Sequence, residues 1–308
     1  MNQYKIAIII PVYNDWNSLN ILISNIEKLL YEDINSHCLI IVNDNSLIDI
    51  PDLPNFQKKN SIILNLKSNL GHQRAIACGL CYLKENIHCE NVIIMDSDGE
   101  DKPTDILNLI SLSINSNSIV FAQRVKRSEN IFFKFMYKMY KIFFSLLTGE
   151  KINFGNFSCI PYFKVESLIY NENIWNNYSA GILKSKTPYL TIPTERGTRY
   201  DGKSKMSLSS LILHGFSAIS VYMDISAIRL VFFSIITILC TFLLMIIVLY
   251  IKIFTNLALP GWASYVILFL LIILFQSLSM GLLMIFLFLT KRTTKSIIPY
   301  HESKLYIS

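Results

Sequence analysis

Two stretches without a single charged residue, 230–251 and 263–289, constrain this chain more than anything else in it. They are 22 and 27 residues long. A helix rises 1.5 Å per residue and the hydrocarbon core of a bilayer is about 30 Å thick, so about 20 apolar residues suffice to cross it. Both stretches are therefore expected to be membrane spans. The connector, 252–262, is short and holds Pro260-Gly261, which predicts a hairpin whose two ends lie on one side of the membrane. Lys203, Lys205 and Arg229 precede the first span and Lys291, Arg292 and Lys295 follow the second, whereas the connector offers only Lys252. The positive-inside rule then predicts an inner (cytoplasmic) membrane protein with two spans and its large N-terminal part in the cytoplasm. The early apolar run, 6–12, is followed at once by Asn14 and Asp15 and reads as a strand rather than a leader.

The remaining composition narrows the class. Charged residues make up 16% of the 308, against about 25% in an ordinary soluble domain, and hydrophobic residues 52%. A disordered chain needs the reverse balance, and six cysteines are too few for a disulfide scaffold. Cys78 and Cys81 form a C-x-x-C, but with no second pair they do not read as a zinc or redox site. Charge is also segregated: residues 1–119 carry a net −6 and residues 120–225 a net +7. The expected domains are an N-terminal cytoplasmic domain over 1–225, the spans within 226–290 and a cytoplasmic tail over 291–308.

Within the N-terminal part, strand-length apolar runs at 6–10, 39–42, 62–66, 92–95 and 119–122 alternate with helix-length segments at 18–31, 72–84 and 104–114. Such alternation predicts an α/β domain with a mostly parallel sheet, whose ligands bind beyond the carboxyl ends of the strands. Three polar clusters stand at those ends: Pro11-Val12-Tyr13-Asn14-Asp15, Asn43-Asp44-Asn45-Ser46 and Asp96-Ser97-Asp98-Gly99-Glu100-Asp101. If the third is extended, Asp96, Asp98 and Glu100 present their oxygens on one side. Three carboxylates together require a cation, and hard oxygen ligands suit Mg²⁺ or Mn²⁺ held jointly with substrate phosphates.

These motifs resemble family 2 glycosyltransferases of the GT-A fold, in the branch of polyprenyl-phosphate glycosyltransferases and dolichyl-phosphate mannose synthases. Residues 8–15, IIIPVYND, resemble the family's opening strand, and Val42-Asn43-Asp44-Asn45-Ser46 its V-D-D-x-S nucleotide motif. Asn69-Leu70-Gly71-His72-Gln73-Arg74-Ala75 with Gly79-Leu80 resembles N-x-G-x-x-x-A-x-x-x-G-L, and residues 96–103 resemble D-x-D-x-Q-D-x-P. The resemblance implies a Rossmann-like GT-A sheet with interfacial helices and a membrane hairpin. It implies that Pro11, Tyr13, Asp15, Asp44, Gly71, Arg74, Asp96 and Ser97 bind a nucleotide sugar, a UDP-sugar before a GDP-sugar. It makes Asp96, Asp98 and Glu100 the metal ligands, with Glu100 where the family often has Gln and Asn43 where it has an acid.

The basic segment reads as the acceptor side. Arg124 and Arg127 follow the fifth strand, and Arg196, Arg199, Ser204 and Lys205 lie in a run that resembles the family's R-x-x-R-x-x-G-x-S-K. Guanidinium forks suit phosphate oxygens, and a polyprenyl phosphate is the expected acceptor. Segments 131–147 and 207–222 have the composition of interfacial helices. Gly155-Asn156-Phe157 stands where the family often shows G-D-F, whose Asp has been considered as a base. An amide cannot take up a proton, so a hydroxyl acceptor would need another base, such as Asp101 or Glu195. A phosphomonoester would not, because with a second pKa of about 6 it is already largely dianionic at pH 7. The expected catalytic set is Asp98, Asn156, Arg124 and Arg196, acting in an inverting attack by the lipid phosphate. His72, at a helix start, reads more readily as a cap or surface residue.

Two alternatives remain open: a non-processive transferase that extends a lipid-linked saccharide, and a membrane-anchored nucleotide-sugar-binding protein without catalysis. No Trp follows an Arg, so the Q-x-x-R-W motif of processive synthases is absent. Ser277 and Gly281 form a small-x-x-x-small pair that signals helix association, from which a homo-oligomer is expected. A nucleic-acid partner is not expected.

Overall fold

The computed structural model describes residues 3–30, 37–58, 60–126, 131–202, 208–255 and 261–307. The chain divides into two compact units: one of residues 1–140, 151–221 and 296–308, the other of residues 141–150 and 222–295.

The first unit is built on a seven-stranded sheet in the order β3-β2-β1-β4-β6-β5-β7. Its strands are β1 (Gln3–Val12), β2 (His37–Asn43), β3 (Ser61–Asn65), β4 (His88–Ile94), β5 (Ile119–Lys126), β6 (Ser158–Pro161) and β7 (Tyr189–Glu195). All run parallel except β6, which is antiparallel to both neighbours. Helices α1 (Trp16–Leu29), α2 (His72–Asn86) and α3 (Asp105–Ser116) follow β1, β3 and β4 as the alternation predicts. The apolar residues of the central strands divide by alternation between two cores. Ile8, Ile10, Leu39 and Ile41 pack with α1 and α3 on one face, and Ile9, Ile40 and Val42 with α2 on the other.

Two strands escape the sequence reading for physical reasons. β6 has only four residues, too short for a periodic signal, yet it is fully buried between β4 and β5. β7 carries Pro193, which argues against a strand in general but is tolerated at a sheet edge, where no partner needs the missing N–H. Their placement matters for the site. The parallel strands deliver their carboxyl ends to one sheet edge, and antiparallel β6 brings the loop before its first residue, 154–157, to that same edge.

Helices α4 (Ile131–Thr148), α5 (Tyr162–Ile169), α6 (Tyr178–Lys184) and α7 (Leu208–Val221) complete the middle of the chain. In α4 Met139, Ile142, Phe143 and Leu146 are exposed, as are Leu213 and Phe216 of α7. Exposed apolar side chains of this size are what an interfacial helix would present to lipid.

The second unit contains α8 (Met223–Phe254) and α9 (Trp262–Thr293), packed on each other. Both have the length and hydropathy of membrane spans, and only 17% and 6% of their most apolar windows are buried, unlike the core helices of a soluble protein. The final turns of α4, residues 141–150, belong to this unit. Arg229 of α8 donates to the carbonyls of Ser145 (3.4 Å) and Leu146 (2.9 Å), and Phe144 packs edge-on against Tyr222. These carbonyls in the last turns of α4, of which Ser145's also accepts from the Gly149 N–H at 2.8 Å, gain a cation at the helix C-terminus. Gly281 lies against Ser234 of α8, where an added Cβ would sit 3.5 Å from the serine Cβ, so this small residue serves packing within the hairpin.

After α9 the chain rejoins the first unit as α10 (Pro299–Tyr306). Lys304 pairs with Glu85 at 2.7 Å, the Tyr306 carbonyl accepts from the Lys67 N–H, and Ile307 forms a bridge with Leu66. The low apolar content of this segment conceals its packing, which relies on Tyr300 and Tyr306. Cys78 and Cys81 are buried in α2, where burial pushes the Cys81 thiol up to about 12 and leaves it inert.

Gly79 on α2 permits the helix to lie close on the sheet: an added Cβ would stand 2.6 Å from Ile9 Cγ2 and 2.9 Å from Val42 Cγ2. Both neighbours are β-branched and buried, so neither can yield cheaply. Gly79→Ala should therefore destabilise the protein by about 1–3 kcal/mol despite its better helix propensity. Thermal unfolding of the variant at or above the wild-type temperature would contradict this packing.

Candidate active site

Six loops meet at the carboxyl edge of the sheet. Two of them are stapled together by Asn14, which adopts a left-handed conformation (φ 54°). Its backbone N–H donates to Ser46 Oγ at 3.0 Å, and its side-chain oxygen accepts from the N–H groups of Leu47 (2.8 Å) and Ile48 (3.0 Å). Trp16 Nε1 adds a bond to the Ile48 carbonyl at 2.9 Å. The loops after β1 and β2 thus form one rigid wall, on which Tyr13 is exposed and Pro11 stands in register with Val42.

Asp44 is buried and spends both oxygens on the next loop, accepting from the N–H groups of Leu70 (2.7 Å) and Gly71 (2.9 Å). Burial raises its pKa against the opposing pull of those bonds and of His72 and Arg74. Gly71 has a φ of +88° and caps α2, so the carboxylate fixes the turn that opens the helix. Asn43 uses its amide both ways, donating to Asn65 Oδ1 at 2.9 Å and accepting from the Ser46 N–H at 3.0 Å. A carboxylate there could only accept. Arg74 places its guanidinium 5.8 Å over the Trp175 ring.

The acidic loop departs from the expected geometry. Residues 97 and 98 turn and Gly99 has a φ of +85°, so the segment is not extended and its carboxylates do not share one face. Asp-Ser-Asp-Gly is turn chemistry, a signal present in the residues themselves. Among the described residues no three His, Cys, Asp or Glu side chains gather as a metal site. Glu100 instead turns to Arg196, whose Nε donates to Oε2 at 2.8 Å and whose Nη2 also reaches it. Asp98 accepts from the Glu100 N–H at 3.0 Å with one oxygen and from Arg199 Nη1 at 3.1 Å with the other. The second amine of Arg199 holds Asp15. Asp101, buried, accepts from Arg124 Nη2 at 3.0 Å and from the Asp96 N–H at 3.1 Å. Ser97 is buried in the same turn.

Burial and crowding both raise the pKa of acids in this loop. Burial first, and then the charge of Asp96, push Asp98 up to about 6 and Asp101 up to about 7, with Arg124 opposing the shift at Asp101. Asp96 and Asp98 remain as a pair of oxygen donors. A divalent cation held by one or two carboxylates together with substrate phosphates fits that donor set and would relieve the repulsion.

His72 opens α2 with an exposed side chain, as expected of a residue at a helix start, and also faces the acidic loop. Its Nε2 lies 3.1 Å from Asp96 Oδ1 and 3.1 Å from Asn156 Nδ2. Burial lowers its pKa, but Asp96 and, more weakly, Asp101 and Asp44 outweigh burial and raise it. Asn156 is held in turn by Ser179, whose hydroxyl donates to the Gly155 carbonyl at 2.8 Å and lies 3.1 Å from Asn156 Oδ1. The signal for His72 in the sequence is a histidine directly after the glycine that opens α2 at the binding edge. Of the expected acceptor residues, Arg124, Arg196 and Arg199 are brought together here; Arg127, Ser204 and Lys205 lie outside the described residues.

Comparison with known proteins places this geometry in a family. The sequence model of glycosyl transferase family 2 matches residues 7–191. An uncharacterised glycosyltransferase of Bacillus subtilis (strain 168), YkcC, is 25% identical over 282 residues, covering 85% of this chain and 81% of the relative. An undecaprenyl-phosphate 4-deoxy-4-formamido-L-arabinose transferase of Yersinia enterocolitica is 26% identical over 218 residues, which cover 68% of this chain and 64% of that protein. The match thus spans just under two thirds of the Yersinia protein. Among solved structures, glucosyl-3-phosphoglycerate synthase from Mycobacterium tuberculosis, in complex with Mn²⁺, uridine diphosphate and phosphoglyceric acid, aligns with a TM-score of 0.53 at 12% identity. That alignment covers 72% of this chain and 78% of the other, and it speaks for the fold, a GT-A sheet.

The raised pKa of Asp98 makes a prediction about stability. A carboxyl whose folded pKa exceeds its unfolded value binds more protons folded than unfolded in the interval between the two. The stability it contributes below about 4 is therefore lost as pH rises through about 6. Asp98→Asn removes that penalty, so its thermal stability relative to wild type should improve between about pH 4.5 and about pH 8. A difference that is flat with pH, or that moves the other way, would show that Asp98 ionises freely.

Proposed function

Since the chain belongs to glycosyl transferase family 2, we propose that it moves a sugar from a nucleotide sugar, a UDP-sugar before a GDP-sugar, to a polyprenyl phosphate at the cytoplasmic face of the inner membrane. The observation that carries this reading is the meeting of Asp96 and Asp98 with Arg124, Arg196 and Arg199 at one sheet edge, in a chain with two helices of membrane-spanning length. Carboxylates suit the cation of a metal diphosphate, and arginines suit a second phosphate. One relative, by its name, uses undecaprenyl phosphate.

In this proposal Asp96 and Asp98 hold Mg²⁺ or Mn²⁺, which when bound would stabilise negative charge developing on the leaving diphosphate. The wall formed by Pro11, Tyr13 and Asp15 and the loop fixed by Asp44 and Gly71 orient the nucleotide. Arg124, Arg196 and Arg199 receive the acceptor phosphate, whose dianion attacks the anomeric carbon with inversion. Asn156 and His72 flank that approach without removing a proton from the nucleophile. The basic residues Arg229, Lys291, Arg292 and Lys295 at the ends of the hairpin favour a cytoplasmic catalytic unit.

The test is release of nucleoside diphosphate by the purified protein in lipid, given polyprenyl phosphate, Mg²⁺ or Mn²⁺ and a panel of UDP- and GDP-sugars. Release should require the lipid phosphate and the metal, and Asp98→Asn should lower it by at least about a hundredfold. Release only with a lipid-linked saccharide would replace this acceptor by the alternative one. Asn156→Asp addresses the nucleophile: with no base required, it should not speed the reaction, and a gain of more than about tenfold would overturn the phosphate-nucleophile account.

A further inference from the structure

The segment after β7 lies across the acidic loop as a strap. The Gly197 N–H donates to the Glu100 carbonyl at 2.8 Å and the Tyr200 N–H to the Asp98 carbonyl at 3.0 Å. The two chains approach so closely that a Cβ on Gly197 would stand 2.5 Å from the Gly99 oxygen, and one on Gly99 2.3 Å from the Tyr200 ring. Asn25 bonds the Tyr200 hydroxyl at 3.0 Å and fixes the far side of the ring. From this strap Arg199 bridges Asp98 and Asp15, and Arg196 holds Glu100. The arginines proposed for the acceptor phosphate are thus already occupied, and their partners are the carboxylates of the donor side.

We infer that Arg199 holds the place of the divalent cation on Asp98, so that arrival of the metal diphosphate frees Arg199 to bind the acceptor phosphate. This deepens the proposed reading, on which it rests, by making one side chain, Arg199, the link between the two anion sites. The physical basis is electrostatic. Asp98 has one oxygen committed to the Glu100 N–H and the other to Arg199 at 3.1 Å. A doubly charged ion on that oxygen would face the guanidinium within a few ångströms, so ion and arginine compete for one carboxylate. By reciprocity, whatever factor the ion costs the arginine contact, the arginine costs the ion.

The test measures Mn²⁺ binding to the full-length protein in lipid, without sugar nucleotide or acceptor, from the electron paramagnetic resonance of the free ion. Arg199→Gln should bind Mn²⁺ at least about fivefold more tightly than wild type, the lower end of the range for coupled sites. Lys102→Gln removes a nearby positive charge that pairs with Glu195 and touches neither Asp96 nor Asp98, and it should bind within about twofold of wild type. Equal or weaker binding by Arg199→Gln, or equal tightening by Lys102→Gln, would overturn the exchange. Should Arg199→Gln fail to fold, the reciprocal measurement on wild type carries the test: a short prenyl phosphate should bind at least about fivefold more tightly with saturating Mn²⁺ than without, a gain absent in Asp98→Asn, and unchanged binding would overturn the proposal. Neither readout involves sugar transfer, so failure here leaves the transferase reading standing, and failure of diphosphate release leaves this one measurable.

Discussion

Like charges gathered on one sheet edge are the constraint around which the rest of this protein is arranged. Asp15, Asp96, Asp98, Glu100 and Asp101 approach one another because parallel strands end together, and each departs from water to some degree in doing so. A carboxylate cluster of that kind persists only with compensating charge. Here it comes from Arg124 at the end of β5 and from Arg196 and Arg199 beyond β7. The last strands of the sheet therefore serve the first ones, and the site depends on residues about 100 positions apart.

That dependence sets how much of the protein is legible in its residues. The two long apolar helices are legible because a run of more than 20 residues without charge has the length and hydropathy of a membrane-crossing helix. The strands β1 to β5 are legible because buried parallel strands are β-branched runs bounded by turn residues. By contrast β6 is specified by its two neighbours rather than by its four residues, and the edge position that excuses Pro193 in β7 is a tertiary fact. In the acidic loop the residue types announce cation chemistry, but the alternation that holds for a strand does not hold for a turn. It breaks at Gly99, whose positive φ sends Glu100 to Arg196.

Asn43 and Asp44 show a related limit. Motif resemblance assigns a role toward the nucleotide, yet the chain uses both side chains to hold itself. Asp44 ties two backbone N–H groups of the loop before α2, and Asn43 links β2 to β3 through an amide that donates on one side and accepts on the other. The departure of Asn43 from an acid is accounted for by this internal bond to Asn65. Base selection therefore need not follow from Asn43, and the exposed Tyr13 on the adjoining wall is better placed to meet a ligand.

The same logic bears on Asn156. A carboxylate in its place would stand across His72 from Asp96, adding one more negative charge to an edge where Asp98 and Asp101 already sit well above the ordinary carboxylate range. For a neutral hydroxyl acceptor that cost would be offset by proton removal. For a phosphate dianion it would not, because the nucleophile needs no base and would be repelled by the added charge. An amide keeps the hydrogen-bonding contact with His72 and Ser179 while sparing both the crowded acids and an anionic acceptor. On the proposed function, Asn at 156 and three arginines at the same edge are two responses to one electrostatic problem: bringing a second phosphate to an edge already full of carboxylates.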